Sequence, residues 1–288
     1  MPYLARQRHR IACLAVSLSA LSACSPAHPA QPGITAEQRE LIDQARQELI
    51  RRCLEKRGFS FWPSEPADPG ETRPVGYVLD DVAWAKVYGY GRRIREKVMA
   101  ERRANPNRRY LESLTEAQRT RLGQAMYGSS DATVSIKLPS GPTISGGAGG
   151  CSAEADTALY GDFRLWFRVS RTTDNLSPLY VPQIFADARY TQAVKAWAGC
   201  MRAAGFTYDN PSAIRAGLAK LEPAKEVPLA TAEATCALST PLSDTIRELE
   251  RHYGGIVRRR FDEEVETRNR LEQTALTRAR ALLADIER

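Results

Sequence analysis

Histidine is scarce: the 288-residue chain holds three, His9, His28 and His252. A Ser-His-Asp triad, a histidine-rich metal site or a Cys-His nucleophile would need His252 as its base, because His9 lies in a leader and His28 in a proline-rich stretch. His252 stands on what reads as the polar face of a helix. Gly-x-Ser-x-Gly, His-Glu-x-x-His, a Walker loop and a dinucleotide fingerprint are all missing, so the common hydrolytic and nucleotide-dependent chemistries have no visible seat. The glycine run at 146–150, GGAGG, lacks the following Lys and Ser or Thr of a phosphate loop. No pair of cysteines has the close Cys-x-x-Cys spacing of a thiolate zinc site, and no metal or other cofactor is expected. Alternating strand and helix patterns are also wanting. One hairpin argues against a two-lobed solute-binding fold.

What is present is enough apolar residue, 43%, for one large domain or two small ones. There are 41 basic and 34 acidic residues. Loss of a leader carrying Arg6, Arg8 and Arg10 and no acid would leave 38 against 34. The surplus is small and mixed, which suits solubility or weak contact with an anionic membrane or wall polymer rather than nucleic acid.

Residues 1–23 combine a basic start with an apolar run from Ile11 to Ala23, the pattern of a signal peptide too short to span a bilayer. Leu21-Ser22-Ala23-Cys24 resembles the lipobox of bacterial lipoproteins. The resemblance implies cleavage before Cys24 and a diacylglycerol thioether on it, anchoring the exported chain to the outer face of the membrane. Cys13 does not compete, because Arg10 stands where the aliphatic residue should. Residues 24–34, with Pro26, Pro29 and Pro32, read as an extended tether.

Residues 35–242 read as a helical domain built on a half-repeat. Arg51–Phe59, RRCLEKRGF, and Trp197–Phe206, WAGCMRAAGF, share Cys-x-x-x-x-Gly-Phe. In each, the glycine (Gly58, Gly205) caps a helix in the left-handed conformation, and the following Phe packs on the residue five positions back, Leu54 or Met201. Thr35-Ala36-Glu37-Gln38 and Thr115-Glu116-Ala117-Gln118 fit capping boxes. The first opens a helix with Leu41, Ala45, Leu49 and Cys53 on one stripe. The second opens one that stops at Gly128. Prolines 63, 66, 69 and 74 enforce loop, with Phe61 and Trp62 pinned to the core. Asp80 and Asp81 read as the start of a short helix, since adjacent side chains there diverge too far for a catalytic dyad. Arg92–Asn107 reads as a solvated basic segment. Thr133–Leu138 and Thr143–Ser145 form a hairpin. Helices are expected over Cys151–Tyr160, over Asp162–Val169, from Ile214 to Leu221, and over Leu229–Leu238. Residues 243–288 read as one long amphipathic helix, kinked at Gly254-Gly255, that projects or pairs with another helix.

Export predicts oxidised cysteines. Cys53, Cys151, Cys200 and Cys236 admit three pairings; the repeat favours Cys53 with Cys151 and Cys200 with Cys236, one bridge per half. The fold class expected is thus mainly α, stapled by disulfides, with one short β-hairpin and a long C-terminal helix.

The segments LDDVAWAKVYGYG, SLTEAQRTRLGQAMYG, GGCSAEADTALYGD, WAGCMRAAGF and ATCALST together resemble a family of uncharacterised, mostly actinobacterial exported proteins. The resemblance implies a shared disulfide-stapled helical fold and carries over no activity and no catalytic residue. The expectation is a non-catalytic binding or scaffolding module held at the membrane by Cys24, with an envelope protein or wall polymer as partner. The alternatives are a carboxylate-based wall hydrolase, for which Glu154, Asp156 and Asp162 are the first residues to inspect, and a small-ligand-binding lipoprotein.

Overall fold

In the computed structural model, the residues described are 33–65 and 76–286; the leader, Cys24, His28 and most of the tether lie outside them. Thr35 opens the first helix, α1 (Ala36–Lys56), through the expected capping box: its hydroxyl accepts from the Gln38 N–H while the Gln38 side chain accepts from the Thr35 N–H. The chain continues through α2 (Val82–Tyr88), α3 (Arg92–Ala104), α4 (Pro106–Ser113) and α5 (Glu116–Tyr127), the last again opened by a capping box, at Thr115. The hairpin pairs β1 (Thr133–Lys137) with β2 (Thr143–Gly147) antiparallel, Ser135 opposite Ser145. Then follow α6 (Gly150–Tyr160), α7 (Phe163–Asp174), α8 (Val181–Ala186), α9 (Ala188–Ala203), α10 (Pro211–Gly217), α11 (Pro223–Ser239), α12 (Leu242–Arg260) and α13 (Asp262–Ile286).

These elements form one unit with two main cores. In the first, α1, α6, α7 and α13 enclose Ile42, Ala45, Leu159, Val169, Leu271 and Leu276. A satellite at the end of α1 joins Ile50, Leu54, Ala125 and Cys151. In the second, α2, α9, α11 and α12 pack Trp84, Trp197, Met201, Leu229 and Leu249. The halves are therefore not consecutive in sequence. The last helix, α13, returns to pack on α1, α6 and α7.

Both half-repeat ends are Schellman caps. Gly58 has φ 79° and Gly205 φ 86°. The Phe59 N–H donates to the Leu54 carbonyl at 3.0 Å and the Phe206 N–H to that of Met201 at 2.9 Å. The bridges join Cys53 to Cys151 and Cys200 to Cys236. Their settings differ beyond the caps: Cys151 stands in the first turn of α6, whereas Cys236 stands near the end of α11. The sequence repeat is a repeat of caps, not of folding units.

Four expectations are corrected. The buried stripe of α1 is Ile42, Ala45, Ile50 and Leu54, with Leu41 and Leu49 half-buried at its edge, because α1 meets α13, α5 and α6 over a wider arc than one stripe. Trp62 is 42% exposed and meets the Tyr110 ring edge-on rather than the core. α11 begins at Pro223, six residues before the expected start, and accommodates Pro228. The C-terminal segment is two helices, α12 running unbroken through Gly254 and Gly255 and ending at Phe261. Its polar second part, α13, is a long helix that pairs with another, α1, one of the two outcomes expected: Ala275 and Ala279 are fully buried.

The glycine run owes its composition to close packing. A Cβ on Gly147 would come within 2.5 Å of the Tyr127 carbonyl oxygen, and one on Gly150 within 2.7 Å of that of Ala125. The ribbon lies against the end of α5 only because these side chains are absent.

Candidate functional site

Helix α11 carries two glutamates on its apolar side, Glu226 and Glu233, two turns apart. Glu233 is wholly buried. One of its oxygens accepts from Arg215 Nη2 at 2.6 Å and from the Leu79 N–H at 2.9 Å; the other accepts from Arg215 Nη1 at 2.8 Å and from the Tyr90 hydroxyl at 2.6 Å. Burial, followed by the Glu233 charge and this hydrogen bond, pushes the Tyr90 hydroxyl far above its ordinary range. Burial alone would lower Arg215, but Glu233 reverses the direction. Glu226 accepts from the backbone N–H groups of Tyr90 and Arg92 and from Arg92 Nε. Burial pushes its carboxyl up, yet these donors outweigh it and hold the group below the usual carboxylate range. The two acids thus tie the segment from Leu79 to Arg92, with α2 inside it, onto α11.

The first core uses the same device. Asp156 on α6 takes Arg46 of α1 at 2.6 Å, and Arg46 also donates to Ser152. Glu272 on α13 takes Arg268 at 2.9 Å. The carboxylates flagged as possible catalysts are dispersed into such tasks: Asp156 is paired with Arg46, Glu154 with Arg57, and Asp162 caps α7 by accepting from the Leu165 N–H. Cys53, Cys151 and Glu154 bring their ligand-type atoms within 4.8 Å of one another. With both sulfurs joined in a disulfide, the trio offers no thiolate to a metal. His252 is exposed, its ring edge-on to Tyr253 at 4.8 Å.

A cleft of about 420 Å³ opens where the extended segment Gly76–Asp80 faces α12. Ser243, Ile246, Arg247 and Glu250 succeed one another along a single face of that helix, and Tyr180 and Trp84 close the ends. Tyr180 packs against the next turn at Gly254, where a Cβ would stand 3.5 Å from the ring, an ordinary contact. On one wall, Asp80 accepts from the Ser243 hydroxyl and from Arg247, and Arg247 also reaches Asp244. Asp81, not Asp80, caps α2. The neighbouring aspartates therefore divide between helix start and cleft wall.

Compared with protein-family models, curated proteins and solved structures, the chain matches none. The site is therefore judged on its own geometry. Of the residues singled out from sequence, the four cysteines and the two capping glycines are joined or placed as described, while Glu154, Asp156 and Asp162 hold separate structural posts. Sequence reasoning missed Glu226 and Glu233, whose signal was available: two acids seven residues apart on the same side of a helix as Leu229, Ala230 and Ala237. It missed the cleft as well. Nothing in the chain announces that Tyr77 and Tyr180, a hundred residues apart, line one space.

Proposed function

We propose that the protein is a lipid-anchored module of the outer face of the cell membrane that binds a ligand or partner without transforming it. The observation that carries the non-catalytic reading is the state of its buried acids. Asp156, Glu226, Glu233 and Glu272, the buried acids among the described residues, each form an ion pair with an arginine. A general acid needs a carboxyl free to deliver its proton to a substrate, and these four are occupied in ion pairs that hold the fold together. The open cleft supports a binding role.

Export and anchoring rest on the lipobox-like LSAC at 21–24, and the two disulfides suit the oxidising compartment that export would give. The α3–α4 arm supports a position at the membrane or wall. From Arg92 to Arg109 it carries eight basic against two acidic residues, and neither helix buries a side chain. Asn107 ties its far end back, exchanging hydrogen bonds with the Trp62 backbone. An exposed cationic arm of this kind suits anionic lipid or wall polymer.

The test combines intact mass of the membrane-extracted protein with fractionation of Cys24→Ala and assay of purified protein on wall polysaccharide. Acylation at Cys24, loss of processing or membrane retention in the variant, and no release of new reducing ends are expected. An unmodified Cys24 would remove the anchoring reading, and saccharide cleavage abolished by substitution of a cleft acid would replace binding by catalysis.

A further inference from the structure

The cleft between Gly76–Asp80 and α12 has a charge pattern that selects among ligand classes. Arg247 is its one basic lining residue, and it is already matched: Nη1 lies 2.7 Å from Asp80 Oδ2 and 2.7 Å from the Ser243 hydroxyl, and Nη2 lies 2.7 Å from Asp244 Oδ1. Two carboxylates thereby offset its charge. Glu250, one turn further on the same face, is half-buried and has neither a hydrogen bond nor an ion pair among the described residues. It stands alone in this among the acids of the cleft wall.

Aromatic rings line the same cleft as this carboxylate. Tyr77, Tyr180 and Trp84 line the same space. Tyr77 is held edge-on by Phe185, with ring centroids 5.7 Å apart, and Tyr180 is seated against Gly254. Burial first, then Tyr180 and Glu250, push the Tyr77 hydroxyl above its ordinary range. An anion entering the cleft would meet Glu250 and an arginine whose charge Asp80 and Asp244 already offset. A neutral ligand would take the half-buried carboxylate further out of water without compensating it. A cation with a small apolar body meets both the charge and the ring faces, the chemistry by which aromatic sites hold ammonium groups.

We propose that this cleft binds a small organic cation, an amine or quaternary ammonium compound, with Glu250 opposite the charge and Tyr77, Tyr180 and Trp84 about its carbon groups. The proposal rests on the binding reading above and narrows it to one ligand class. The volume, about 420 Å³, lies within the span of small-molecule sites.

Choline and putrescine, a quaternary and a primary cation, serve as probes, with 3,3-dimethylbutan-1-ol as the uncharged isostere of choline. Calorimetry on the membrane-extracted protein measures affinity, and aromatic NMR signals report the place of binding. At least one cation is expected to shift the signals of Tyr77, Tyr180 and Trp84 and to bind roughly tenfold more tightly than the alcohol. Glu250→Gln is expected to remove about that preference while leaving the melting temperature unchanged, and Tyr180→Leu to weaken cation binding with the carboxylate intact. Equal affinity for choline and the alcohol, indifference to Glu250→Gln, or no response to either cation would overturn the proposal. Acylation of Cys24 and the absence of polysaccharide cleavage are measured separately, so those results stand or fall independently of the cleft.

Discussion

Arg215 grips Glu233 with both terminal nitrogens, at 2.6 and 2.8 Å, inside the core formed around α11, and its guanidinium lies 5.1 Å from the centre of the Tyr90 ring. A bidentate pair of this kind fixes two helices, α10 and α11, at one relative orientation. Glu233 is completely enclosed, so the pair is worth most when only one member is removed.

Arg215→Met should accordingly destabilise the protein by about 3–5 kcal/mol, the cost of an uncompensated buried carboxylate. Glu233→Gln keeps one acceptor oxygen, enough for the Leu79 N–H or the Tyr90 hydroxyl but not both, and leaves unpaired an arginine that is a quarter exposed rather than a carboxylate that is wholly enclosed, so it should cost less. Urea unfolding of the two variants checks the order. Equal losses would mean that the pair contributes through packing and not through charge.

The two bridges close loops of different length, 98 and 36 residues of separation. On loop entropy alone, losing the longer should cost about 4.7 kcal/mol and losing the shorter about 4 kcal/mol. Paired Cys→Ala variants, Cys53/Cys151 and Cys200/Cys236, followed by denaturant midpoint, give the comparison. A negligible effect of either would show that the unfolded chain is already constrained there.

Gly205→Ala should destabilise by about 1 kcal/mol. At φ 86° a Cβ is strained, yet nothing lies within 4 Å of where it would stand, so the loss should be conformational and no larger. Gly205→Asn, which tolerates the left-handed region better, should recover part of it. A thermal melt that ranks Ala at or above Gly would place the helix end elsewhere.

Acid should unfold the protein through its hydrogen-bonded carboxylates. Glu226 is raised by burial but lowered overall by Arg92 and the Tyr90 N–H; Asp187 is lowered by Arg189, through its side chain and then its backbone. A carboxyl whose pKa is lower folded than unfolded stabilises above the unfolded value, about 4.3 for glutamate, and loses that contribution as pH falls through the folded value. Stability should therefore be level from about pH 5 to 8 and fall below about pH 4. Glu226→Gln should lower the plateau and flatten the acid limb. An unchanged limb would assign acid unfolding to other groups.

Replacing Arg93, Arg102, Arg103 and Arg109 by Gln should leave stability within about 0.5 kcal/mol, because these side chains are exposed and α3 and α4 bury nothing. It should reduce salt-sensitive sedimentation with phosphatidylglycerol vesicles. Sedimentation equal to that of the unsubstituted protein would remove the arm from any membrane contact.

Much of this architecture could be read from local patterns. Thr35 and Thr115 announce helix starts, Gly58 and Gly205 announce helix ends, and the repeated Cys-x-x-x-x-Gly-Phe pointed to one bridge in each half. These signals lie within a few residues of one another and act through backbone hydrogen bonds that any context preserves. What escaped notice depends on distant chain. Glu226 and Glu233 look like solvent-facing residues until Arg92 and Arg215 arrive from elsewhere to neutralise them. Gly254 and Gly255 suggest a kink when judged by propensity, yet α12 stays continuous through both. The helix that pairs with the polar second part of the C-terminal segment could not be named from sequence, because its apolar positions, Leu271, Ala275, Leu276 and Ala279, find their counterpart in a helix more than 200 residues earlier.

That pairing of α1 with α13 sets an order of events. The residues at the start of the first core, Ile34, Ile42 and Ala45, cannot be covered until the chain beyond Asp262 has been made. The second core, drawn from residues 78–249, has all its parts earlier. A growing chain should thus complete the later-numbered core first and close the earlier-numbered one last, and any chain released short of Leu271 would carry a first helix covered by α5 and α6 but open on its α13 side, an address that chaperones and proteases recognise.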